Sequence, residues 1–220
     1  MHINVKNLLK IEENVKTKLT SIDSLLTKIK IIAVSKTFKM DHINYLIEYG
    51  HSDYGENKVQ EAQDKWSDIK RSNPNIKLHL IGRLQTNKAK IAVKLFDYIH
   101  SLDSKKLADK ISKYEKEFNV KTKLFIQVNI GNENQKSGIA KENVFDFYKY
   151  CKSIDLNIIG LMCIPPFEED SQKFFKELKI LSRELNLKEL SMGMSSDYIN
   201  AIEHGATYLR IGSNIFGKRG

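Results

Sequence analysis

Apolar residues in this chain recur in two alternating rhythms. Short continuous apolar runs are each followed by a stretch whose apolar positions sit three and four apart. The first stretch, Val5 to Leu26, carries Val5, Leu8, Leu9, Val15, Leu19, Ile22 and Leu26 at helical spacing and predicts an opening helix. Strands are predicted at Ile31–Val34, Asp53–Tyr54, Leu78–Ile81, Tyr98–His100, Leu124–Val128, Ile158–Leu161, Glu189–Ser191 and Tyr208–Leu209. Between them, helices are predicted at Asp41–Tyr49, Glu56–Trp66, Thr86–Phe96, Ser104–Phe118, Lys141–Lys152, Ser171–Leu185 and Ser195–Glu203.

Eight strands interleaved with helices predict a parallel α/β barrel, with a doubly wound open sheet as the competing arrangement. The second and seventh strands carry the weakest periodicity. Both architectures put chemistry at the carboxyl ends of the strands. The distinctive residues gather there: Lys36, Gly55-Glu56-Asn57, Gly82-Arg83-Leu84-Gln85, His100-Ser101, Asn129, Met162-Cys163, Gly193-Met194-Ser195-Ser196 and Arg210-Ile211-Gly212-Ser213.

Composition narrows the classes. A chain of 220 residues buries one sizeable core without needing to split. No run is apolar for long enough to span a bilayer, and the Met1–Lys6 start has no secretory apolar region. Cys151 and Cys163 form no CxxC pair, and the histidines form no HxH or HExxH pattern, so no metal is expected. A soluble protein of a reducing, cytoplasmic compartment is the expectation. The net charge of +9 raises nucleic-acid binding as a minority reading. That charge is mostly lysine spread along the chain, and no RNA-binding module is visible.

Lys36 closes the run Ile31-Ile32-Ala33-Val34-Ser35. An ammonium at the exit of a buried strand either reaches water or lowers its pKa and becomes a nucleophile toward carbonyls. On position alone, the solvent-reaching lysine is the commoner outcome. Two further loops change the balance. Gly193, Met194 and Ser195 follow one strand, and Gly212 and Ser213 follow the next, which suits an anion cradle. Ordinary helix capping by Ser195 or Ser196 and by Ser213 is the plainer alternative. Arg210 precedes the second loop, and Asn57 and Gln60 lie near a helix start where they could orient a ligand. A lysine beside a phosphate cradle fits an aldolase-type enzyme or a pyridoxal 5′-phosphate (PLP) binder.

Ala33-Val34-Ser35-Lys36-Thr37, Tyr54-Gly55-Glu56-Asn57-Lys58-Val59-Gln60-Glu61 and His79-Leu80-Ile81-Gly82-Arg83-Leu84-Gln85-Thr86-Asn87-Lys88 occur in order. They are followed by His100-Ser101-Leu102-Asp103-Ser104, Gln127-Val128-Asn129-Ile130, Lys136-Ser137-Gly138-Ile139 and Gly160-Leu161-Met162-Cys163-Ile164-Pro165. Ser191-Met192-Gly193-Met194-Ser195 and the segment from Arg210 to Arg219 complete the set. In this the chain resembles the PLP homeostasis protein family, with Tyr54 where Phe is usual. The resemblance implies a single (β/α)8 TIM barrel over residues 1–220, like the PLP-binding domain of alanine racemase (fold type III). It implies that Lys36 holds PLP as an aldimine and that Arg210 faces the pyridine nitrogen. It also implies that Ser195, Gly212 and Ser213 hold the phosphate, that Asn57 lies near the ring, and that Lys136 takes part in PLP handling.

A guanidinium opposite the pyridine nitrogen leaves that nitrogen unprotonated and the ring a poor electron sink. Racemisation tolerates this, but it needs a second acid/base that the racemases take from an additional domain and a partner subunit. This sequence reads as barrel to its end, so that domain is expected to be lacking. The expected role is therefore non-enzymatic PLP buffering or delivery in intracellular vitamin B6 homeostasis, by a monomer with transient contacts to PLP-accepting apo-enzymes. A PLP-dependent amino-acid racemase of weak activity is the alternative.

Overall fold

The computed structural model describes residues 1–22, 29–133 and 137–217. Nine strands are present among them: β1 (Lys30–Val34), β2 (Asp53–Glu56), β3 (Lys77–Leu80), β4 (Tyr98–Leu102), β5 (Lys123–Asn129), β6 (Ile139–Ala140), β7 (Ile158–Met162), β8 (Glu189–Met194) and β9 (Tyr208–Ile211). All pairings are parallel. β1 pairs with both β2 and β9, and β4 joins β3 to β5, so eight strands close into a barrel. The two-residue β6 lies outside that ring and pairs only with the end of β5. The closed barrel, not the open sheet, is the architecture.

Strands such as β1 and β7 read as nearly continuous apolar runs because both faces are buried. Ile32, Tyr98, Phe125, Met162 and Tyr208 pack together inside the barrel. Their strand neighbours Ala33, Ile99, Leu124, Leu161 and Leu209 belong instead to the core between strands and helices. Adjacent residues thus serve different cores, as the two-residue period of a strand requires.

The helices are α1 (Ile3–Ser21), α2 (Met40–Tyr49), α3 (Val59–Ser72), α4 (Ala89–Leu95), α5 (Lys105–Phe118), α6 (Val144–Ser153), α7 (Ser171–Glu184), α8 (Tyr198–Glu203) and α9 (Ser213–Phe216). α5 shows how sequence sets their limits. The Ser104 hydroxyl accepts from the Leu107 amide at its start, and Asn119 takes a left-handed conformation (φ 50°) at its end. Between these caps, Leu107, Ala108 and Ile111 form the buried stripe.

Several expected boundaries move, including the helix predicted from Lys141, which begins at Val144 after a 3-10 turn. Glu56 belongs to β2, where it pairs with Leu80, and the helix begins only at Val59. Thr86–Lys88 is a tight 3-10 turn ahead of α4. α8 starts at Tyr198 rather than Ser195. The opening helix ends at Ser21, and the segment carrying Leu26 lies outside the described residues. Among the described residues no helix is long and apolar enough to cross a membrane.

Candidate functional site

Lys36 lies two residues beyond β1, half-buried, at the carboxyl end of the barrel. The backbone on both sides of it is pinned. The Ser35 amide donates to the Gly55 carbonyl at 3.0 Å. The Ser35 hydroxyl donates to Glu56 Oε1 at 2.7 Å, and the Ser35 carbonyl accepts from Lys65 Nζ at 3.0 Å. On the other side, the Thr37 amide donates to Glu61 Oε1 at 2.6 Å. Lys65 Nζ also meets Glu56 Oε1 and Glu61 Oε1, each at 3.0 Å, and Trp66 Nε1 donates to Glu56 Oε1. This clamp holds Thr37 at φ 69°, a left-handed conformation that costs a β-branched residue and persists only where neighbours impose it.

Lys36 opens onto a cleft of about 760 Å³ that Asn57, Met194, Ser195, Arg210, Gly212 and Ser213 also line. Residues far apart in sequence meet there because the strand ends converge. Asn57 follows β2, and its side-chain Oδ1 is buried with no hydrogen-bond partner. Gly82 makes room for it, since a Cβ at that position would sit 2.2 Å from the Asn57 carbonyl oxygen.

The capping expectation for Ser195 is not met. Its hydroxyl accepts from the Gly212 amide at 3.3 Å and the Asn214 amide at 3.4 Å, so it bridges the loops after β8 and β9. The Asn214 side chain donates back to the Ser195 carbonyl at 2.9 Å. Ser213 is the first residue of α9 and Gly212 its cap. Gly193 lies inside β8 behind the cleft, at φ 89°, where a Cβ would fall 2.6 Å from that of Ala201. Lys136 lies outside the described residues.

Arg210 is 4% exposed. Its Nη1 donates to Ser191 Oγ at 2.7 Å and its Nη2 to the Cys163 carbonyl at 2.8 Å. Burial lowers its pKa, yet a guanidinium keeps its charge at any working pH. Ser191 continues inward to His100 Nδ1 at 2.8 Å. His100 Nε2 meets His79 Nδ1 at 3.0 Å, and His79 Nε2 meets Asp53 Oδ1 at 3.0 Å. Burial lowers the pKa of both imidazoles, for His79 against the opposing hydrogen bond to Asp53. Burial pushes Asp53 upward, but the His79 hydrogen bond and the Lys30 charge outweigh it and hold that carboxyl well below its usual range. Cys163 is inert beside this chain, because burial pushes its thiol up to about 12.

The sequence places Glu56 and His100 among the strand-end residues without a role, and assigns none to Glu61, Lys65 or His79. For the barrel interior the signal is a polar residue within a strand, as His79, His100 and Ser191 all are. Which of them meet depends on strand register and closure, which a linear pattern does not carry.

The alanine racemase N-terminal domain family matches residues 7–220. A pyridoxal phosphate homeostasis protein of Aquifex aeolicus is 40% identical over 200 residues, covering 86% of this chain and 87% of its own. Its counterpart in Pasteurella multocida is 34% identical over 225 residues, covering 97% of each chain. PipY of Synechococcus elongatus, solved with PLP bound, superposes with a TM-score of 0.81 at 34% identity, over 92% of this chain and all of that one. An alanine racemase of Clostridium difficile is 16% identical, with a TM-score of 0.72 over 94% of this chain and 57% of its own, a likeness of fold alone.

Proposed function

This chain belongs to the pyridoxal phosphate homeostasis protein family, and from that premise we propose that it binds PLP in the cleft at the barrel mouth and buffers or delivers it without catalysing a reaction. One observation carries the reading: an amine, a buried guanidinium and a serine tied to backbone amides of the next loop line one cleft. The donor set fits the cofactor. The buried, unpartnered Asn57 Oδ1 offers an acceptor at the cleft, and Gly82 keeps the space beside it open.

When bound, PLP supplies an aldehyde that condenses with a primary amine and a ring that withdraws electrons when its nitrogen is protonated. Lys36 is the amine offered to that aldehyde, presented on a backbone that Glu56, Glu61 and Lys65 hold still. Ser195, Gly212 and Ser213 receive the phosphate, with Gly193 and Met194 at the end of β8 setting where the first of those loops begins, and with Lys136 assisting. Arg210 donates a hydrogen bond toward the ring nitrogen and never transfers its proton.

A non-enzymatic role is supported by the lining itself. Among the described residues, no histidine, tyrosine or carboxylate lines the cleft to act as a second acid/base opposite Lys36. The fold favours the racemase reading as a second possibility. Incubation of PLP-loaded protein with L-alanine, followed by chiral analysis, separates the two. No D-alanine is expected, and steady accumulation that vanishes in Lys36→Ala would establish the racemase. The proposed setting is the cytoplasm, the proposed state a monomer, and the proposed recipients PLP-accepting apo-enzymes.

A further inference from the structure

Arg210 is a buried cation with no carboxylate in contact among the described residues. Such a charge is costly unless a countercharge reaches it. Asp53, at the opposite end of the barrel interior, is a half-buried anion joined to Arg210 through Ser191, His100 and His79, by links of 2.7, 2.8, 3.0 and 3.0 Å. We propose that Ser191, His100 and His79 are positioning residues that tie the Arg210 guanidinium to Asp53 through one polarised hydrogen-bond chain. The orientation of Arg210 in the cleft is then set from the barrel floor.

The proton positions follow from the two ends. An ionised Asp53 only accepts, so His79 Nε2 carries a proton and, in a neutral ring, His79 Nδ1 accepts. His100 Nε2 must therefore donate to it, which leaves His100 Nδ1 as an acceptor. Ser191 donates its single proton to that nitrogen and accepts from Arg210, which only donates. Every link points the same way, from guanidinium to carboxylate, a condition under which successive hydrogen bonds polarise one another. Both rings are held by stacking, His79 on Tyr98 with centroids 4.2 Å apart and His100 on Phe125 at 4.3 Å. The other charged or titratable groups facing the chain are Lys30, Tyr98, Asp97 and Tyr208 near His79, and Cys163 and Asp197 near Arg210.

The inference rests on the PLP reading only for its binding arm, because the proton positions are read in PLP-free protein. Nitrogen-15 NMR of histidine-labelled protein should find both rings neutral and protonated at Nε2, from about pH 5.5 to about pH 8. His79→Phe keeps a ring over Tyr98 and removes both links. It should release His100 from its single tautomer, shift the Arg210 guanidinium resonance and weaken PLP binding about tenfold, the loss expected of one charge-assisted hydrogen bond. His79→Gln supplies a donor and an acceptor and should restore the His100 tautomer. Should His79→Phe fail to fold, Ser191→Ala removes the link next to Arg210 and is read by the same guanidinium shift. A proton on Nδ1 of either ring, an imidazolium, or an Arg210 resonance indifferent to these substitutions would overturn the proposal. Intact tautomers in protein that binds no PLP would instead count against the functional reading alone.

Discussion

At the scale of single residues, the site works by holding ordinary side chains in uncommon positions. Lys36 is an unremarkable strand-end lysine by sequence, and its setting comes from Lys65, whose side chain is 9% exposed against a fully buried Glu56. Removing one member of a buried pair strands the other charge. Lys65→Met should therefore destabilise the fold by about 3 kcal/mol or more, a fall in Tm on the order of 10 °C, and should speed hydrogen exchange at the Thr37 amide. Unchanged exchange there would dissociate the clamp from Lys36. The sequence made Lys36, Asn57, Ser195, Arg210, Gly212 and Ser213 legible because lysine, arginine and Gly-Ser pairs stand out at strand ends. It left Lys65 and Glu61 unread, because on an amphipathic helix they look like any solvated i,i+4 pair.

At the scale of elements, the site depends on loops packed backbone to backbone. Gly82 after β3 lies so close to Asn57 after β2 that any side chain would displace it. Gly82→Ala should cost about 1–3 kcal/mol and weaken PLP binding about tenfold by moving Asn57. Equilibrium unfolding and PLP titration measure the two effects, and wild-type binding with the lowered stability would remove Asn57 from the site. All eight barrel strands were legible, the longer ones as the apolar runs that burial on both faces demands, and the second and seventh, Asp53–Tyr54 and Glu189–Ser191, only from their place in the alternation of strands and helices. Element starts were less so. Ser195 has the chemistry of a helix cap, but its hydroxyl is committed to amides across the cleft, and α8 begins three residues later without a side-chain cap.

At the scale of the whole molecule, the barrel interior stores charge-sensitive groups that couple stability to pH. His51, His79 and His100 are held below the ordinary imidazole value of 6.5, in each case chiefly by burial. The unfolded chain therefore binds more protons than the folded one once pH drops below about 6.5, and stability should fall with it. Asp53, held low, adds stability that is present above its usual value of 3.8 and lost only in stronger acid. Asp103 and Glu115, raised by burial, act in the opposite sense. Tm should decline steadily from about pH 7 to about pH 5, and His79→Phe should flatten that decline. A profile flat across this range in the wild type would mean that these imidazoles are not held neutral. The account as a whole turns on which amine meets the aldehyde. Loading the protein with PLP, reducing it with borohydride and mapping peptides by mass spectrometry tests this directly. The expected result is one pyridoxyl group on the peptide carrying Lys36, absent from a Lys36→Ala variant with an unchanged circular dichroism spectrum. A pyridoxyl group on another lysine, or no added mass at all, would contradict it.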